Sequence, residues 1–177
     1  MENNYYEKYI NFLKKYNLYN EEIIKYIRRN STPIDYLEEE LRCLIGCYYT
    51  YDKNKRLKKI NITVPYFKSE ITTLINIHEY IHVYIAYPYL YKKYKITKEE
   101  EMLALLYEQL YYLDNQTPYL KEAIDILNRQ ILTSEKTEYK IALQYKQELL
   151  NYYTNEKPTF KKLQRKAKKL SNRHISK

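Results

Sequence analysis

His78-Glu79-Tyr80-Ile81-His82 brings two imidazoles and a carboxylate together within one short stretch of chain. On an α-helix, residues four apart lie one above the other on the same face. Two imidazoles at that spacing can bind one Zn²⁺. The carboxylate after the first histidine can reach a water activated at the metal and serve as its general base. The chain has only three histidines, and two of them fall here. The competing reading is a buried helix whose histidines hydrogen-bond to backbone.

A catalytic zinc takes three protein ligands and leaves one position for water. The metzincin pattern places its third histidine six residues after the second, but Pro88 stands there and Ile85 occupies the intervening glycine position. That class is excluded. His174, the remaining histidine, lies in a basic tail far along the chain. The other common solution is a glutamate from a following helix, and Glu99, Glu100, Glu101 and Glu108 are available. Thr97-Lys98-Glu99-Glu100 reads as a capping box in which Glu100 reaches back to the Thr97 N–H. Glu99 falls in an exposed first turn, where acids favour the helix dipole. Glu101 shares a face with Ala104, Leu105 and Glu108, and a small residue at 104 would let this helix come close to the one carrying the histidines. Glu101 is therefore the expected third ligand, with Glu100 and Glu108 as the main alternatives. The competing reading of 99–101 is a solvated acidic helix start.

These side chains need elements to hold them. Apolar spacing predicts helices over 3–16 and 20–29, and Ser31-Thr32-Pro33 resembles a helix start leading through Ile34, Leu37 and Leu41. From Cys43 to Tyr51 the chain is β-branched and aromatic. Asp52-Lys53-Asn54-Lys55 is a turn candidate, and Leu57–Tyr66 alternates polar with apolar, which predicts a β-hairpin. Pro65 suits a strand end or edge, and an exposed edge would suit an extended peptide added as a strand. Ser69 caps a helix over about 70–86 that carries the motif and ends at Pro88. Further helices are predicted from Thr97 to about Leu113 and over 118–132, 135–154 and 158–171.

The chain has 177 residues, 45% of them hydrophobic, one glycine and five prolines, which predicts a mostly helical α+β protein with few tight turns. The 25 tyrosines read first as a compositional bias toward Tyr, Lys, Ile and Asn. Cys43 and Cys47, with no other cysteine, do not make a disulfide framework and read as buried thiols. The N-terminus lacks a basic and apolar leader, and no apolar run approaches a membrane span, so the expectation is an intracellular, cytoplasmic protein with no membrane association. Nine of the 31 Lys and Arg residues lie between Lys157 and Lys177 with no acid among them. The remaining 22 match the 22 acids, so the net charge of +9 belongs to the tail. Residues 1–156 are expected to form one domain with its core at about 42–115, and 157–177 a basic C-terminal tail.

His78-Glu79-x-x-His82, a loop, and then Glu101-x-x-Ala104 resembles the gluzincin metallopeptidases. Lys58–Tyr66 looks like that clan's edge strand, and Ile75-Asn76-Ile77 leads into the motif like its active-site helix. The likeness covers about 42–115, a core like that of the small minigluzincins. It also looks like the intracellular phage- and mobile-element-associated metallopeptidases with the same motif. The resemblance implies a zincin-like core with a small antiparallel sheet, an active-site helix and a glutamate helix, flanked by extra N- and C-terminal helices. It implies Zn²⁺ held by His78, His82 and Glu101, Glu79 as general base, and hydrolysis of a protein or peptide substrate. Many gluzincins carry an acid four residues after the glutamate ligand to support a zinc histidine. Leu105 stands there instead. The family also adds a Tyr or His donor for the oxyanion, and Tyr107, Tyr111 and Tyr112 are candidates. Two other readings compete. One is a zincin fold without activity, acting as an interaction protein. The other is a binding protein whose tail, 157–177, engages nucleic acid or an acidic partner.

Overall fold

The computed structural model describes residues 4–35, 45–133 and 137–173. The chain divides into two units, Met1–Lys95 and Ile96–Lys177.

The first unit opens with helix α1, Asn4–Lys15, which buries Tyr9, Phe12 and Leu13. Asn17 ends it in the left-handed region at φ 56°, and the Leu18 N–H donates to the Leu13 carbonyl at 2.8 Å. This is a Schellman closure with Asn in the position glycine usually takes. Helix α2, Glu21–Asn30, is capped by the Asn20 side chain, which accepts from the Glu22 and Ile23 N–H groups.

Three strands form one mixed sheet among the described residues: β1 Ser31–Ile34, β2 Gly46–Tyr51 and β3 Leu57–Pro65, in the order β1-β3-β2. The hairpin is as expected, with β2 antiparallel to β3 and Tyr49 opposite Ile60. Two expectations are corrected. Ser31-Thr32-Pro33 does not start a helix; it pairs parallel to β3, with Ser31 opposite Ile62 and Ile34 opposite Pro65. The Ser31 N–H instead closes α2 by donating to the Ile27 carbonyl. In consequence the sheet is mixed rather than antiparallel, and β3 is its central strand rather than an edge. Pro33 is tolerated because β1 lies at the edge. Leu37, Leu41 and Cys43 lie outside the described residues. Where β1 stops short of Ile60, the Tyr26 hydroxyl takes over the ladder, accepting from the Ile60 N–H at 2.9 Å and donating to its carbonyl at 3.3 Å.

Helix α3, Glu70–Ala86, packs on this sheet and on α1 and α2. It runs into a 3₁₀ turn, Tyr87–Tyr89, at the expected Pro88. The chain then straps itself back onto the start of β3: the Leu57 N–H donates to Lys92 O at 2.8 Å and the Tyr91 N–H to Leu57 O at 2.7 Å.

The second unit is helical: α4 Lys98–Asn115, α5 Pro118–Thr133, α6 Thr137–Glu156 and α7 Phe160–Arg173. Helix α4 packs against α5, α6 and α7. The Tyr107 ring stacks on Phe160, with centroids 6.2 Å apart, and meets Tyr153 edge-on at 6.5 Å. Leu163, Ala167 and Leu170 of α7 are fully buried, so the basic C-terminal stretch contributes one apolar face to the fold. No helix among the described residues is long and apolar enough to cross a membrane.

Candidate metal centre

Helix α3 carries the histidine pair, and its sequence explains its burial. Thr72 to Ile77 is buried at every position, as are Tyr80, Ile81, Val83 and Ile85. A helix that is apolar nearly all round belongs inside a fold. Its start is closed by a capping box: Ser69 Oγ accepts from the Thr72 N–H at 3.2 Å, and Thr72 Oγ1 accepts from the Ser69 N–H at 2.9 Å. Glu70 forms an ion pair with Lys8 of α1.

Further contacts fix the register of the helix. Asn76, buried among apolar neighbours, donates through Nδ2 to Pro65 O at 2.9 Å and to Thr72 O at 2.8 Å. It therefore ties the helix to the end of β3. The Tyr80 hydroxyl donates to Leu18 O at 2.7 Å and anchors the helix to the turn after α1. Burial pushes the Tyr80 phenol well above its ordinary pKa. Cys47 of β2 places Sγ 3.5 Å from the backbone oxygen of Glu79 itself. These anchors bracket the motif. An Asn between two isoleucines is the one sequence signal that could have announced them, because a polar side chain buried in an apolar helix needs hydrogen-bond partners.

Across one turn of α3, the Nε2 atoms of His78 and His82 lie 3.3 Å apart, with ring planes inclined by 51°. Both imidazoles are half-buried. Two ligand nitrogens bound to one tetrahedral zinc at about 2.0–2.1 Å lie about 3.3–3.4 Å from each other, so the pair has the separation of one coordination edge. His78, His82 and Glu101 form a group whose ligand atoms all lie within 4.8 Å of one another. Two imidazole nitrogens and a carboxylate oxygen are a donor set suited to zinc with a fourth position open. This group could hold a metal ion. Glu79, next to the first histidine, is 7% exposed.

The other acids have different settings. Glu100 is 1% exposed and accepts the Thr97 N–H at 3.1 Å through Oε1, as the capping box requires. Glu99 is half-exposed in the first turn of α4. Glu108 is buried in the helical unit, where its charge acts on Lys146. Burial pulls the Lys146 ammonium below its ordinary pKa, and Glu108 and Asp125 oppose that shift. Lys146 also donates to Gln109 Oε1 at 3.2 Å. Leu105 is buried. Of the three tyrosines considered for the oxyanion, Tyr107 and Tyr111 are buried and Tyr112 is half-buried. His174 lies outside the described residues.

The chain matches no family model, no curated protein and no solved structure.

Proposed function

We propose that this chain is a zinc-dependent metallopeptidase of the gluzincin type, with His78, His82 and Glu101 holding the metal and Glu79 as general base. The observation that carries the reading is the grouping of those three side chains, beside a buried Glu79 on the same helix. Zinc held there would lower the pKa of a water toward 7 and polarise a scissile carbonyl. Glu79 would accept the attacking water's proton and deliver it to the departing amine. The anchors Asn76 and Tyr80 would keep both imidazoles in place through the cycle. Peptides and proteins are the substrate class that this chemistry serves.

The test is hydrolysis of an unfolded protein such as casein by zinc-loaded wild type and by Glu79→Gln. The amide keeps the shape of the carboxylate but takes no proton. Glu79→Gln should retain zinc and lose about 10²–10⁴-fold in rate, the usual contribution of a positioned general base. Cleavage by Glu79→Gln at the wild-type rate would overturn the assignment. Zinc binding without any cleavage by wild type would favour an inactive metal-binding protein, the reading that Leu105 supports.

A further inference from the structure

We infer that the solvent face of α7 is a binding surface for double-stranded nucleic acid, holding the phosphate backbone without reading sequence. The helix has two sharply different sides. Leu163, Ala167, Leu170 and Ser171 are buried. Lys161, Lys162, Arg165, Lys168 and Lys169 are exposed, and none of them has an acidic partner among the described residues. Their neighbours Lys166 and Arg173 show the contrast, since both pair with Glu148 of α6 at 3.1 Å.

The spacing matters as much as the charge. Lys161, Arg165 and Lys168 follow one another at helical-turn intervals, with Lys162 and Lys169 alongside. At 1.5 Å per residue the ridge spans about 12 Å. Solvated helix faces usually intersperse acids that relieve such repulsion; between Lys157 and Lys177 there is none. A polyanion supplies the missing charge. A lipid surface fits less well, because the apolar face that would insert is already buried in the fold and every exposed residue of α7 is Lys, Arg or Asn. Duplex phosphates, one charge per about 1.7 Å of axis, match a dense row of cations.

The experiment measures binding of the full chain to a labelled DNA duplex of arbitrary sequence between 50 and 200 mM salt. With all five cations engaged, log K should fall with log salt at a slope of about −4.5, roughly 500-fold over that range. The K161Q/K162Q/R165Q/K168Q/K169Q variant should lose most of that slope while keeping its helicity, because Gln and Lys have similar helix propensity. A control variant, K53Q/K58Q/K59Q/K92Q/K93Q, removes the same charge from exposed positions of the first unit and should keep most of the slope. Three results would overturn the inference: no duplex binding by wild type at 50 mM salt, equal losses in the two variants, or tighter α7-dependent binding to phosphatidylserine vesicles than to the duplex.

Discussion

His78 and His82 hold their Nε2 atoms 3.3 Å apart across one turn of α3. At that distance one nitrogen must offer a lone pair to the other's proton, or both must face a cation. A zinc ion held there would replace that contact with two coordinate bonds. Zinc should therefore stabilise the fold, by about 2.7 kcal/mol at a free concentration one hundred times its Kd. Thermal melts with and without zinc should show a rise in Tm for wild type and none for His82→Ala. An equal rise in both would remove His82 from the site.

Asn76 links the motif helix to the end of β3 through the Pro65 carbonyl. Asn76→Ala leaves that carbonyl without its donor inside the protein. Urea denaturation should show a loss of about 1–3 kcal/mol. A change within about 0.5 kcal/mol, typical of an uninvolved surface site, would mean that Asn76 does not anchor the helix.

Tyr80 gives a pH signature. Its phenol is buried, donates to Leu18 O, and is pushed well above the ordinary tyrosine pKa by burial. Tyr9 is raised in the same way. A raised folded-state pKa means that the native protein keeps protons which the unfolded chain has already lost. Stability should be fully present below about pH 10 and decline as pH rises above it. Tyr80→Phe should lower stability at pH 7 by about 1–2 kcal/mol, through the unpaired Leu18 carbonyl, and flatten the alkaline decline. Parallel alkaline profiles for the two proteins would contradict this.

The two sides of α7 should respond oppositely to substitution. Leu163→Ala removes a fully buried side chain and should cost about 2–5 kcal/mol. Lys168→Gln, on the exposed side, should change stability by less than about 0.5 kcal/mol. Chemical denaturation distinguishes these, and a Leu163→Ala change as small as that of Lys168→Gln would refute the packing of α7.

Where the signals were local, sequence and structure agree. Ser69 marks a helix start by side-chain capping, Pro88 marks an end, and Glu100 reaches back to the Thr97 N–H as the capping box predicts. His78 and His82 are legible because a helix turns their spacing directly into proximity. β1 was not legible. Ser31-Thr32-Pro33 has the local look of a helix start, and only its pairing with Ile62–Val64, far along the chain, makes it a strand. The same distant pairing turns β3 from an expected edge into the centre of the sheet. The Tyr80–Leu18 and Asn76–Pro65 bonds are equally non-local. Alternating residues reveal that a side chain is buried, not which carbonyl it finds there.

In the proposed site Glu101, not Glu100, would complete the zinc ligands with the two histidines. Its most direct test is the zinc content of wild type, Glu101→Ala and Glu100→Ala, purified at neutral pH without chelator. Near one zinc per chain is expected in wild type and in Glu100→Ala, with the latter less stable by about 0.5–2 kcal/mol for the lost cap, and no retained zinc is expected in Glu101→Ala. Full retention in Glu101→Ala, or a wild-type protein that binds no zinc, would contradict it.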